Sequence, residues 1–447
     1  MTKTEILDKI REAGVIGAGG GGFPAYKKLE AKVEYIIANG VECEPLLYKD
    51  REVMLRETEN MLNGLEIIKE LTGAKKVTIA IKEKNRDAAE FIKSLADKKG
   101  IEVFITRNVY PAGDEYILVY EITGRRIPPN GIPLMVGCLV NNAETLVNIS
   151  NAVESGPVTE KFITITGAVK NPVTTSVPVG TSLWDCIEFA GGFTTSDPVA
   201  LTGGVMMGGV ETDFSKPVTK TLGGLIILPS DHTLVIRKTS PQKVYNKTGH
   251  STCDQCSFCT QLCPRYILGY PIQPHLVMRA LQMTGEAKDT LNLWAASCCE
   301  CNICSLFACP EKLDPKNICT DIKSKLKEEK KGFTKEQMDE AFRDVHPARE
   351  GREIPIANLY QRLGLKPYDR KASFKTFDKN TINELLIPLK YNFGQRAKPI
   401  VRVGSKVKTG EMIASTEEND LSVPVHSSVN GIVKSTSEKG ILISANY

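Results

Sequence analysis

Short apolar runs alternate with longer amphipathic stretches through the first third of the chain. Val33–Ala38, Val77–Ile81 and Val103–Ile105 are rich in β-branched residues and too short for helices. Glu59–Leu71 and Arg86–Lys98 place apolar residues at helical spacing. This alternation predicts an α/β unit with a mainly parallel sheet over residues 1–155. The pattern then changes. Phe162–Val169 and Thr174–Val179 read as strands and Ser182–Ala190 as a helix, with more strands after Gly191-Gly192, so residues 158–240 predict a small α+β module. Residues 245–325 are cysteine-rich and helical. Residues 326–350 are densely charged, with Thr334 and Gln337 spaced as a capping box. Residues 351–385 look irregular, so 326–385 reads as a charged linker. From Ile387 onward, short strands alternate with glycine turns, and residues 386–447 predict an all-β domain.

At 447 residues the chain exceeds a single core and calls for about three domains. A net charge of +4 spread along the chain favours neither nucleic acid nor a membrane surface as partner. No apolar run approaches the ~18 residues of a transmembrane helix. The N-terminal stretch is charged and amphipathic, unlike a signal peptide. Thirteen cysteines without an export signal point to a reducing, cytoplasmic compartment and to metal ligation rather than disulfides.

Eight of those cysteines form two runs. The first is Cys253-x2-Cys256-x2-Cys259-x3-Cys263-Pro264, and the second is Cys298-x2-Cys301-x2-Cys304-x4-Cys309-Pro310. This spacing holds two [4Fe–4S] clusters, with the cysteine before proline ligating the other cluster. One cluster would use Cys253, Cys256, Cys259 and Cys309. The other would use Cys298, Cys301, Cys304 and Cys263. Paired CxxC units also bind zinc, but two runs each closed by Cys-Pro favour iron and sulfur. Cys43, Cys138, Cys186 and Cys319 read as small apolar residues. Cys299 adjoins a ligand, and an alternative thiolate there is the less favoured reading.

Gly17-Ala18-Gly19-Gly20-Gly21-Gly22-Phe23-Pro24 follows an amphipathic helix. Glycines let backbone N–H groups approach a phosphate closely. The run matches neither the dinucleotide fingerprint nor a P-loop. Three further segments accompany it: Asn39-Gly40-Val41-Glu42-Cys43-Glu44-Pro45, Tyr110-Pro111-Ala112-Gly113-Asp114-Glu115 and Val140-Asn141-Asn142-Ala143-Glu144-Thr145-Leu146. In this order they resemble the flavin module shared by the flavoprotein of respiratory complex I and the RnfC family. The resemblance covers about residues 10–150 and implies a Rossmann-like fold that holds FMN and admits NADH beside it. It puts Gly19, Gly20, Gly21, Gly22, Phe23 and Lys28 around the FMN phosphate and ribityl chain. Asn39 and Glu42 would line the flavin, Glu44 and Glu115 would face the nicotinamide, and Asn141 and Asn142 would hold the phosphate side. Val41 replaces an aspartate of the complex I motif, and Leu46-Leu47 replaces a Gly-Thr pair. NADH gives two electrons at once and an iron–sulfur cube takes one, so a flavin belongs between them. No residue is assigned to acid–base catalysis.

Phe162–Pro172 with Val177–Thr181 resembles the soluble-ligand-binding β-grasp (SLBB) domain that follows the flavin module in both families. A packing role is favoured over a ligand role there. Val403-Gly404-x2-Val407-x2-Gly410 and Val423–Val433 resemble the barrel-sandwich hybrid of biotinyl and lipoyl carriers. Its hairpin tip, Glu417-Glu418-Asn419-Asp420, has no lysine for a swinging arm. In membrane RnfC proteins this domain comes first, and here it comes last. That order resembles the cobalamin reductases of propanediol-utilisation microcompartments. The resemblance implies NADH-dependent reduction of cob(III)alamin towards cob(I)alamin by a microcompartment enzyme, with shell or adenosyltransferase proteins as partners. The alternative is an RnfC-like adaptor that feeds a protein electron acceptor. Of the histidines His232, His250, His275, His346 and His426, only His250 and His275 flank the first cysteine run as candidate cobalt ligands, and a packing role is favoured for both.

Overall fold

The computed structural model describes residues 1–417 and 420–445. Four parallel strands form the first sheet, in the order Glu102–Thr106, Lys76–Lys82, Tyr35–Gly40, Cys138–Asn142. Ile36, Ile37 and Ala38 are fully buried, as befits a central strand covered on both faces. Helices Thr58–Thr72 and Ala143–Glu154 pack together on one face. A Cβ at Gly64 would come within 2.1 Å of the Leu146 carbonyl oxygen, so only glycine permits this approach. The strand order reverses at Tyr35–Gly40, between neighbours Lys76–Lys82 and Cys138–Asn142. Parallel sheets bind ligands beyond the carboxyl ends of strands at such a switch point. Asn39, Gly40, Asn141 and Asn142 stand at those ends.

The second sheet is mixed and five-stranded, in the order Val173–Pro178, Glu160–Gly167, Gly224–Pro229, Pro198–Thr202, Gly209–Glu211. The cysteine-rich region wraps its loops with helices that include Gln242–Thr252, Pro274–Ala280 and Pro315–Glu328. Two small sheets close the chain: Glu384–Ile387, Ile441–Ala445, Gly431–Thr436 and Lys406–Val407, then Lys398–Pro399, Met412–Ser415 and Val425–His426. Val177, Leu183 and Ile187 of the middle module share one core with Leu385, Val433 and Ile443 of the C-terminal one. Of the arm-like tip, Glu418 and Asn419 lie outside the described residues.

The stretch 326–385 is packed and does not behave as a charged linker. Thr334 and Gln337 form a capping box on helix Lys335–Ala341. Ile354–Pro355 pairs antiparallel with Val109–Tyr110 of the first module. Leu359, Leu365 and Ala372 are fully buried, and Phe377 and Ile382 enter the shared core of the middle and C-terminal modules. Within it, Ile356, Leu359, Tyr360 and Leu363 stand at helical spacing and form helix Ile356–Arg362, whereas the apolar residues after Leu365 stand singly among polar and charged ones. No helix among the described residues is long and apolar enough to cross a membrane.

Candidate functional site

One cavity of about 1390 Å³ opens at the switch point. It exceeds the roughly 300–1,000 Å³ of a usual small-molecule site and so has room for a flavin and a second nucleotide. Gly19 to Gly22, Phe23, Lys28, Asn39, Glu42, Glu44, Glu115, Asn141 and Asn142 all line it. Loops of the middle module supply another wall through Thr202, Gly203, Thr219 and Thr221 to Gly223. Cys298, Cys299 and Cys301 form the far end.

The glycine loop closes on itself. Gly22 N–H donates to the Gly17 carbonyl at 3.1 Å, and Gly17 N–H donates to that of Phe23 at 2.9 Å. A Cβ at Gly20 or Gly21 would meet nothing within 4 Å. Among the described residues no protein acceptor meets the N–H groups of Gly19, Gly20 and Gly21, which gives the loop the character of an anion nest. The Asn141 side-chain N–H₂ is buried without a partner. Lys28 Nζ donates to the Val140 carbonyl at 2.7 Å, and burial lowers its pKa while Glu115 opposes the shift. Unpaired donors beside a phosphate-sized nest fit FMN.

A buried ionic floor supports the loop. Lys49 Nζ lies 2.7 Å from Asp50 and 3.1 Å from Glu144. Lys161 also pairs with Glu144 and donates to the Ala18 carbonyl at 2.9 Å. Asn142 Nδ2 donates to Asp50 Oδ1 at 3.0 Å, which fixes its side chain. Removing one partner of such a buried network costs about 3–5 kcal/mol. Burial, then the Asp50 charge, pushes the Glu42 carboxyl up to about 7. The sequence assigns no role to Lys49, Asp50 or Glu144, although they stand within or beside its motifs, and nothing in it marks Lys161.

Glu44 accepts hydrogen bonds from Met206 N–H and Met207 N–H, both at 2.8 Å. Its carboxylate therefore clamps a loop of the middle module to the cavity wall. Gly204 gives it room, since a Cβ there would lie 2.3 Å from the Glu44 carboxyl carbon. Burial raises the Glu115 carboxyl against the pull of Lys28. Leu46 takes a left-handed φ of 68°, and its N–H donates to the Tyr360 hydroxyl at 2.9 Å. Leu47 packs against Gly224. The Leu46-Leu47 pair thus ties the flavin module to its neighbours.

The two cysteine runs repeat one backbone form. Gln255 and Ser257 have φ of 58° and 63°, and Glu300 and Asn302, at the equivalent positions, have 61° and 67°. Left-handed non-glycine residues are uncommon, so four at matched offsets mark a shared loop geometry. Backbone N–H groups already reach sulfur: Glu300 N–H lies 3.4 Å from Cys298 Sγ, and Leu313 N–H lies 3.3 Å from Cys309 Sγ. Cys253, Cys256, Cys259 and Cys309 surround one small cavity, with His275 and Met278 at its edge. The Cys301 thiol is raised by its hydrogen bond with Cys299 and by burial, with smaller contributions from Cys263 and Cys304 nearby. Among the described residues no group of three such side chains converges on a single point. Four thiols around one cavity and a second set on a loop of the same form fit two [4Fe–4S] clusters.

Cys138, Cys186 and Cys319 are core residues, and Cys43 and Cys299 line the large cavity. Among the described residues no histidine lines that cavity. His275 is held by Thr260 Oγ1, 2.8 Å from its Nδ1.

Family models match the chain along its length. Residues 10–151 match the Nuo51 FMN-binding domain, 162–209 the SLBB domain, 252–314 the 4Fe-4S dicluster domain and 361–444 the RnfC barrel sandwich hybrid domain. The last match begins inside the stretch whose charge pattern suggests a linker. The chain is 37% identical to the cobalamin reductase PduS of Salmonella typhimurium, covering 99% of this chain and 97% of that protein. It is 38% identical to the cobalamin reductase PduS of Citrobacter freundii, covering 98% and 96%. A component of the proton-translocating ferredoxin:NAD(+) oxidoreductase complex of Clostridium ljungdahlii is 32% identical, covering 66% of this chain and 62% of that protein.

Proposed function

The chain belongs to the family of the PduS cobalamin reductases, and from that premise we propose that it carries electrons from NADH through FMN and two [4Fe–4S] clusters to a corrinoid. The observation that carries this reading is the single cavity running from the glycine loop to the Cys298–Cys301 wall. Bound FMN supplies the exchange between a two-electron donor and one-electron acceptors. The chain's residues bind and orient. The free N–H groups of Gly19 to Gly21 receive the phosphate, with Lys28, Asn141 and Asn142 beside them. Asn39 and Glu42 stand at the ring, and Glu115 at the nicotinamide. Glu44, whose carboxylate also clamps Met206 and Met207, faces the nicotinamide with it.

Cys298, Cys301, Cys304 and Cys263 hold the cluster next to the flavin. Cys253, Cys256, Cys259 and Cys309 hold the outer one, where Cys256 is exposed. The corrinoid would take its electrons at this outer end, where the cluster loop is exposed. The work is divided among a flavin module, a β-grasp bridge, a two-cluster domain and a barrel that docks on them. The cytoplasmic, microcompartment setting and contacts with shell or adenosyltransferase proteins belong to the same proposal, supported by the likeness to PduS.

The test is anaerobic NADH oxidation by the FMN-loaded, iron-reconstituted protein with cob(III)alamin as sole acceptor. NADH-dependent appearance of reduced cobalamin is the expected result. If NADH bleaches flavin and clusters while cobalamin stays oxidised, the acceptor is a protein and the chain is an adaptor of the RnfC kind.

A further inference from the structure

The C-terminal barrel reaches across to the glycine loop. Asn392 Nδ2 donates to the carbonyl oxygens of Gly20 at 3.0 Å and Gly21 at 3.1 Å. Next to it, Phe393 packs edge-on against Phe23 with ring centroids 5.1 Å apart. The segment is anchored on both sides. Gln395 N–H donates to Asp420 Oδ2 at 2.7 Å, and the Tyr26 hydroxyl donates to the Asp420 carbonyl at 3.1 Å. Gly394 turns the chain at φ 75°, where a Cβ would strike the Ser422 nitrogen at 2.2 Å.

A planar trans peptide sets its N–H opposite its C=O. With the Gly20 and Gly21 carbonyls turned towards Asn392, the N–H groups of Gly21 and Gly22 face away from it. The Gly22 N–H is taken by the Gly17 carbonyl. The Gly21 N–H meets no protein acceptor among the described residues. Released from Asn392, the Gly20–Gly21 peptide is free to turn over and present its oxygen to an incoming anion, whereas the Gly21–Gly22 peptide stays pinned through the Gly22 N–H. Glycine imposes no Cβ barrier to that turn.

We propose that Asn392 is a positioning residue for the flavin phosphate: its amide holds two carbonyls outward so that the glycine loop offers only N–H groups to the anion. This rests on the reading of the loop as the phosphate site. The barrel domain is then a working part of the cofactor site, contributed from about 370 residues downstream.

The full-length protein, freed of flavin, is titrated with FMN and separately with riboflavin, which lacks the phosphate, and flavin fluorescence is followed. The wild type is expected to prefer FMN. Asn392→Ala should lose FMN affinity about tenfold, the scale of a lost charge-assisted hydrogen bond, with riboflavin affinity unchanged. Asn392→Asp, which cannot donate to a carbonyl and adds negative charge, should lose at least as much. The proposal is overturned if either variant binds FMN as tightly as the wild type, or if Asn392→Ala loses FMN and riboflavin equally. A wild type that binds both flavins equally would instead overturn the phosphate reading of the loop itself.

Discussion

Gln255 and Ser257 in the first cysteine run, and Glu300 and Asn302 in the second, share a left-handed backbone, but the two loops sit in different surroundings. Around the second run, the Tyr110 hydroxyl donates to the Cys301 carbonyl at 2.8 Å, Lys323 donates to that of Cys298 at 2.7 Å and Asn302 donates to that of Met206 at 3.0 Å. The flavin module and the middle module both grip it. Arg265 stands nearby, paired with Asp114 at 2.8 Å and stacked on Tyr116. Among the described residues, no hydrogen bond from the flavin or middle module reaches residues 253–263; the Thr260 hydroxyl is held by His275 alone, Cys256 is exposed and the neighbouring Phe258 is half-exposed. One loop geometry therefore serves two tasks. The gripped copy faces the flavin cavity, and the open copy faces outward. The difference gives the electron path a direction.

The strongest way to break this contrast is to remove one cluster at a time. Cys301→Ala should bring acceptor reduction to background and leave NADH bleaching of the flavin intact, because the inner cluster is the first station. Cys256→Ala should also stop acceptor reduction, but NADH should still reduce the inner cluster, visible by electron paramagnetic resonance. If acceptor reduction persists in Cys256→Ala, the outer cluster is not the exit. Metal removal sharpens the same contrast with a smaller effect. A chelator under mild oxidation should strip the outer cluster first, so iron release should be biphasic with half the iron in the fast phase. A single phase would mean that the two sites are equally accessible. The smallest expected effect comes from Tyr110→Phe, which deletes the bond to the Cys301 carbonyl. It should cost about 1 kcal/mol and speed loss of the slow iron phase only.

Much of this was legible in the sequence, and for stated reasons. Cluster ligation demands thiols at fixed intervals, so the runs announce themselves. Strands such as Val77–Ile81 declare a buried sheet through β-branched residues and the lack of any charge. The clamp at Glu44 was hidden because its partners are backbone N–H groups of Met206 and Met207, which any residue would supply. Lys161 was hidden because a lone lysine in a strand reads as surface, and only folding brings it to Glu144. Leu359 stands at helical spacing with Ile356 and Leu363, a short signal that the densely charged stretch just before it outweighed. The left-handed turns fall on Gln255, Ser257 and Glu300, residue types that signal no such backbone on their own, and on Asn302, the one of the four that favours it.

Cys309 shares its cavity with three cysteines that precede it by about fifty residues. During synthesis, the outer cluster's fourth ligand therefore emerges from the ribosome only after the whole second run has been made. A nascent chain halted before that point presents three thiolates to whatever metal or oxidant is at hand. Cluster insertion is therefore expected to follow release of the complete domain, and truncation after Cys304 should yield a protein unable to mature its outer cluster.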